Sequence, residues 1–479
     1  MGVATKSRPA TSFDSFHFGY GCLLIVAALV MGGGGAEGPI LNGLLEALAA
    51  PLLVAAIASH FSSRPLPSTA VWPVWGAVIL LALFLLQMIP LPPVVWRALP
   101  GRELASEVAQ LTAQSASWKP LSLDPDATRR SAAALILPLA FMLFAVRSDG
   151  TRILWVVRAL LAGAASSALL GAVQIARGSP SSLTIYGDPV AGVGTGFFAN
   201  PNHQASLMLL SLVAVGLFVR LQSPNLKMHI GARVWRFKLG WLLAPLFIVA
   251  DIATQSRAGL LLLLPAIAFA ALIASEKKSI RSLTLIGGVT LAAILAVLLF
   301  TRAGFWQMLP SRAQFLRDAR ATSIPDILYT LRQYWPWGSG FGTFVPVFMA
   351  NEDLDLAQAA YLNHAHNDYL EFLIEGGLPA AIALTAALLA ISWRIVRIFR
   401  ETNIERAPAL AGFAMLVLLA AHSLVDYPLR TDGITMIAGL ALGLLFSELP
   451  RKSSGRSSSR GKRGFSSLSS GVARGGSSQ

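Results

Sequence analysis

The sequence predicts an all-α integral membrane protein of about twelve transmembrane helices, and three observations carry that prediction. The 479 residues are 54 % hydrophobic and only 13 % charged, whereas an ordinary soluble domain carries about a quarter charged residues. Apolar stretches of about 20 residues, long enough to cross a hydrocarbon core of roughly 30 Å, recur along almost the whole chain. Lysine and arginine gather in alternate connections, the asymmetry that orients membrane helices.

In chain order, a weakly basic tail over 1–19 leads into the first span, Tyr20–Gly35. Alone it would pass for a signal segment, but the many spans after it mark it as a retained helix. Leu44–Ser59, Val71–Pro90, Ser131–Val146 and Ile153–Ala176 follow, then Ala205–Val219, Leu239–Ala253, Ala258–Ala274 and Ser282–Phe300, and last Tyr369–Trp393, Pro408–Val425 and Gly433–Phe446. With the N-terminus in the cytoplasm, Arg220, Lys227, Arg233, Arg236, Lys238, Lys277, Lys278 and Arg281 fall inside, as does the tail. The net charge of +14 therefore sets topology and does not mark a nucleic-acid partner. The lone Cys22 lies in the first span, which excludes a disulfide framework and a thiol metal site.

The membrane domain spans 20–450 on this reading. The Ser-, Gly- and Arg-rich tail over 451–479 has too few apolar residues to fold alone and is expected to be disordered and cytoplasmic. Two outside connections exceed simple turns, Leu91–Arg130 and the large loop over 302–368, placed before the tenth span. The second carries Trp306, Tyr334, Trp335, Trp337 and Phe344, a density that argues for an ordered structure against the membrane, with an interfacial aromatic belt as the alternative.

Chemistry concentrates in three segments. In Asn363-His364-Ala365-His366-Asn367-Asp368-Tyr369-Leu370, ionisable groups stand at the mouth of an apolar helix, where they are costly unless they serve a function. A neutral histidine there suits a general base acting on a hydroxyl. His364, His366 and Asp368 also fit an H-x-H-x-D zinc spacing, but Tyr369 stands where a further histidine would often lie, and neither a cysteine nor a strand context accompanies it. No metal or other cofactor is expected. Histidines that merely cap the helix entrance are the structural alternative.

In Gly194-Thr195-Gly196-Phe197-Phe198-Ala199-Asn200-Pro201-Asn202, glycines and an Asn-Pro turn offer backbone N–H groups just before a helix, a setting that favours an anion such as phosphate. An ordinary loop with an asparagine cap explains the same letters. Thr254-Gln255-Ser256-Arg257-Ala258-Gly259 is a short outside turn with one arginine between two apolar helices. Its guanidinium needs an anionic partner, either a diphosphate or a structural pair with Asp251 or Asp426. Tyr334 to Phe344 reads as a rigid turn with aromatic faces for sugar rings, and His422 to Pro428 puts an acid at the outer end of a helix.

The ordered set of Asn-Pro-Asn, Ser-Arg-Ala-Gly, Pro-Trp-Gly-Ser-Gly-Phe-Gly, then His-Asn-Asp-Tyr-Leu with Glu-Gly-Gly-Leu, resembles the O-antigen ligase and polymerase superfamily over roughly Gln174 to Asp426. The resemblance implies a C-type glycosyltransferase fold in the bacterial inner membrane, facing the periplasm. It implies metal-independent, inverting transfer of a glycan from undecaprenyl diphosphate to a hydroxyl of the lipid A core, in polysaccharide biosynthesis for the cell envelope. The alternative within the family is a polymerase joining lipid-linked repeat units. Outside it, a small-solute transporter is the main rival, though no repeated halves are evident. By the family pattern His366 activates the acceptor and Arg257 engages the diphosphate, with His364, Asn367, Asn202 and Arg332 as further substrate contacts. Many relatives carry an arginine just before the Asn-Pro-Asn stretch, where this chain has Gly192, Val193, Gly194 and Thr195. A second diphosphate contact then falls to Arg177, Arg320, Arg332 or Arg430.

Overall fold

Asp149, Asn200, Ser256 and Asn367 each precede an apolar run, and each accepts backbone N–H groups of the turn it begins. Such caps satisfy donors that the first turn of a helix leaves free. In the computed structural model they start four of the long helices. The structure describes residues 12–35, 38–62, 66–178, 181–186, 192–222, 230–275, 323–353, 362–401 and 405–449, with isolated helical positions at 281, 284, 288, 291 and 295. The remainder of the expected span 282–300, parts of the large loop including Trp306 and Arg320, and the tail over 451–479 lie outside the described residues.

The described chain is almost wholly helical: α1 (Ser12–Met31), α2 (Pro39–Ser62), α3 (Val71–Gln87), α4 (Pro93–Arg97), α5 (Glu103–Leu111), α6 (Pro125–Ala133), α7 (Ile136–Val146), α8 (Gly150–Ala176), α9 (Pro201–Leu221), α10 (Ile230–Ala253), α11 (Arg257–Ala274), α12 (Ile324–Tyr334), α13 (Phe344–Met349), α14 (Asp368–Arg400), α15 (Ala407–His422) and α16 (Asp432–Leu445). A two-residue antiparallel pair, β1 (Pro90–Leu91) with β2 (Lys119–Pro120), closes the first long connection. Among the described residues, seven helical segments are long and apolar enough to cross a membrane, and four shorter apolar helices accompany them. Every expected span except 282–300 falls on one of these eleven.

The helix α9 is the axis, buried along nearly its whole length and packed against α8, α10, α11 and α15. A second group joins α1, α2, α7 and α16. Small residues permit the closest approaches: a Cβ added at Gly439 or Gly443 of α16 would lie 2.2 Å from the Pro138 carbonyl or 2.3 Å from that of Met142. This is the small-xxx-small packing of helices in lipid.

Loop ends collect at one end of the bundle. There Ala199 N–H donates to the Gly33 carbonyl (3.1 Å), Gly194 N–H to Ala253 (3.2 Å), Leu123 N–H to Ser339 (2.9 Å) and Asp368 N–H to Ser423 (3.1 Å). The opposite end holds the Arg220–Glu405 pair (3.0 Å) and the Thr69 hydroxyl donating to Phe446 (2.8 Å). At that end, too, the fully buried Arg394 of α14 donates from Nε to the Leu445 carbonyl (3.0 Å) and from Nη2 to Ser447 (2.9 Å), closing the C-terminus of α16.

Candidate active site

The first turn of α14 organises the site. Asn367 accepts the N–H groups of Tyr369 and Leu370 (3.0 Å each) and donates to the Leu424 carbonyl (2.9 Å), which ties α14 to the end of α15. Just before this cap, His366 takes a left-handed backbone, φ 49°, a conformation few non-glycine residues adopt.

Asp368, Glu371 and Glu375 follow at spacings of three and four, so they share one face of the helix. All three are buried, and each is held by specific donors. Asp368 accepts from the Ser423 hydroxyl (2.7 Å), Glu371 from His364 Nδ1 (2.8 Å) and Ala365 N–H (2.9 Å), and Glu375 from Gly342 N–H (2.8 Å) and Phe344 N–H (3.3 Å). Arg430 lies among them, 3.7 Å from Asp368, 3.4 Å from Glu371 and 3.2 Å from Glu375. Burial alone would make its guanidinium easier to discharge, but Glu371, Glu375 and Asp368 outweigh that and hold its pKa above the ordinary value. As a contender for a second diphosphate contact, Arg430 is therefore already charge-compensated.

Next to this network stands Tyr427, whose ring centroid is 4.8 Å from His366, 4.5 Å from His364 and 5.0 Å from His203. Asp426 Oδ1 lies 3.5 Å from His366 Nδ1. That is long for a hydrogen bond, and Nδ1 makes none with the described residues; the buried carboxylate acts on the ring through charge. The Asn202 amide donates to the other carboxylate oxygen, joining the first turn of α9 to the same point. The His-x-His-x-Asp residues thus turn to three different partners: Glu371, Asp426 and Ser423 with Arg430.

The Arg257 turn packs against α9, the helix that also carries Asn202. Ser256 caps α11 by accepting Gly259 N–H (3.1 Å), and Gln255 donates to the Gly192 carbonyl (2.8 Å). A Cβ on Gly259 would lie 2.8 Å from Cβ of Ala205, so the first turns of α11 and α9 touch. The Asp251 carboxylate oxygens are buried without a hydrogen bond among the described residues, so the alternative structural pair of Asp251 with Arg257 is not formed by hydrogen bonding.

In the loop before α9 the ordinary reading, an asparagine-capped turn, holds over the anion site. Its backbone donors are already occupied: Thr195 and Gly196 donate to Gln174 Oε1 (3.0 and 2.9 Å), Phe197 donates to the Ser167 hydroxyl (3.0 Å), and Asn202 to Asn200 (2.9 Å). Gln174 and Ser167 on α8 supply what an anion would have supplied.

The glycine-rich turn is wedged into α14. At Gly377 (φ 58°) the helix breaks, Leu378 N–H donates to the Pro336 carbonyl (2.7 Å), and Gly338, Gly340 and Gly342 all take positive φ as the turn passes the break. Gln87 joins the two, accepting Phe341 N–H and donating to the Glu375 carbonyl (2.9 Å each). Tyr334 and Phe344 are buried in a small core with Ala365 and Ile374, whereas Trp335 and Trp337 are 41 % and 49 % exposed. Only the two tryptophans retain open faces.

Of the residues the sequence singles out, His366, His364 and Asn202 meet around Asp426 and Tyr427, and Arg257 lies on the adjoining turn. Asn367 serves as a helix cap. Arg332 stands on the exposed face of α12 and makes no hydrogen bond or ion pair with the described residues. Sequence reasoning missed Tyr427, Gln174 and the pairing of Asp426 with His366. The i, i+3, i+7 acidic spacing was the available signal for the network around Arg430.

No curated protein matched the sequence. Residues 241–385 match the family model described as O-antigen ligase. The matched stretch holds the Arg257 turn, the glycine-rich turn, both histidines and the break in α14; Asn202 and Asp426 lie outside it. Over this stretch the chain is similar to the O-antigen ligase family.

Proposed function

We propose that the protein is a ligase that transfers a glycan from undecaprenyl diphosphate to a hydroxyl of the lipid A core. On this reading it is a twelve-helix protein of the inner membrane, and the end of the bundle that carries His366 faces the periplasm. The observation that carries the proposal is His366, one ring nitrogen turned toward buried Asp426 and the ring packed on Tyr427 at the loop-rich end.

The acceptor hydroxyl oxygen attacks the anomeric carbon while its proton passes to His366. The bond from that carbon to the diphosphate oxygen breaks, and the diphosphate leaves on its lipid. Asp426 favours the imidazolium that forms, as a buried carboxylate does for a general-base histidine. Arg257 offers a forked donor to the developing charge. A single displacement with inversion is supported by the state of the α14 carboxylates: Asp368, Glu371 and Glu375 are bound to Arg430 and to local donors, so none of these three is free as a glycosyl nucleophile. The exposed faces of Trp335 and Trp337 suit sugar rings.

The test is a gel of surface glycans from cells lacking the gene, complemented with the native chain or with His366→Ala. Full-length polymer left on the lipid carrier beside bare lipid A core establishes the ligase. Single repeat units in place of polymer establish the polymerase, and no change in any glycan rejects both.

A further inference from the structure

The end of the bundle opposite His366 contains a pocket of about 530 Å³, its open mouth included, between α1, α2, α7 and the start of α8. His17, Phe18, Leu52, Phe144, Arg147 and Arg152 are among its lining residues, and none of the residues that line it is acidic. Arg147 follows the last residue of α7, and all three of its guanidinium nitrogens are buried without a hydrogen-bond partner among the described residues.

Two ordinary explanations for an arginine at such a place fail here. Long basic side chains at the ends of membrane helices usually extend to water, but these nitrogens have lost water. Arginines also close helix C-termini by donating to the last carbonyls, and Arg147 donates to none. The nearest acid in sequence, Asp149, is turned to the start of α8, where it accepts the N–H groups of Thr151 and Arg152 (2.9 Å each). The hydroxyls of Ser148 and Ser59 donate to the Phe144 and Ala56 carbonyls (2.8 and 3.0 Å). The donors left for a ligand are the guanidinium of Arg147 and, beside it, that of Arg152, which lies 5.5 Å from the ring of Phe18. Burial also lowers the pKa of Arg147, which is the mark of a cation lacking its counter-charge.

We infer that this pocket binds the phosphate of an anionic phospholipid headgroup, with Arg147 as the forked donor, Arg152 at the rim and the Phe18, Leu52 and Phe144 wall against the acyl chain. A guanidinium matches a phosphate diester in shape and charge. Basic pockets between membrane helices recognise such headgroups. The pocket is remote from the glycan chemistry, and its occupant is a structural or regulatory lipid rather than a donor.

The test uses the full-length protein in neutral detergent, with thermal unfolding followed by tryptophan fluorescence during titration with dioleoylphosphatidylglycerol, dioleoylphosphatidylcholine or inorganic phosphate. Phosphatidylglycerol is expected to raise the melting temperature saturably, and Arg147→Gln to weaken that response at least about tenfold, the scale of a lost charge-assisted contact. Should Arg147→Gln fail to fold, Arg152→Gln is titrated instead, with a response weakened about threefold expected from the loss of one rim charge. Equal response of native and variant protein to phosphatidylglycerol overturns the site. Equal response to phosphatidylcholine overturns the anionic headgroup. An arginine-dependent response to inorganic phosphate alone overturns the lipid as occupant and assigns the pocket to free phosphate.

Discussion

At His366 two requirements meet in one residue. The left-handed backbone costs on the order of 1 kcal/mol for a side chain with a Cβ, and the surrounding cap and loop contacts hold the residue there. His366→Gly is therefore expected to be as stable as the native chain or up to about 1 kcal/mol more stable. His366→Ala and His366→Gly should both lower transfer by roughly 10²- to 10⁴-fold, the range for loss of a general base. Pairing single-turnover kinetics with thermal unfolding separates the two effects, and an active His366→Gly would remove the base assignment. Asp426→Asn keeps the shape of its partner, so its effect should fall on kcat with little change in KM. Arg257→Lys keeps charge but loses the fork, and is expected not to restore activity lost in Arg257→Ala. The side-chain types at these positions were readable from spacing at a helix mouth. Their partners were not, because Asp426 and Tyr427 come from the turn after α15, and only tertiary packing brings that turn to His366.

Among the elements, α14 departs most from its sequence reading. A single apolar run suggested one continuous span, yet the 33-residue helix breaks at Gly377 and receives the glycine-rich turn in the gap. Both motifs were legible as glycine-rich letters, but local pattern could not show that one docks into the other. A Cβ at position 377 would lie 2.1 Å from the Pro336 carbonyl, so Gly377→Ala should destabilise by about 2 kcal/mol or more through positive φ and overlap with backbone. Chemical unfolding in detergent measures it, and a neutral result would mean that the turn is not seated in the break. Arg430→Ala leaves three buried carboxylates without their cation and should cost about 3 kcal/mol. Arg430→Lys should recover only part of that loss, since a point charge cannot serve all three acids.

For the whole molecule, hydropathy and charge were strong guides. The described helices follow the expected spans, because membrane crossing imposes length and apolarity directly on sequence. The long connection from Leu91 to Arg130 was readable by its length as functional or disordered, but not as α4, α5 and a two-residue β pair, since each piece is too short to carry a periodic pattern. The proposed orientation predicts that, in a Cys22→Ser background, Trp118→Cys is labelled by an impermeant maleimide from the periplasm, whereas Arg400→Cys is labelled only after the membrane is opened. The reverse pattern would invert the topology and remove the periplasmic site.

Arg394 has a bearing on how the chain is made. A ribosome delivers α14 well before α16, so the guanidinium reaches the bilayer before the Leu445 and Ser447 carbonyls that will receive it exist. Until then it must wait at the lipid surface or in the insertion machinery. The helix α16 is then the latch of assembly, and a nascent chain truncated before it should be recognised as unfinished and degraded.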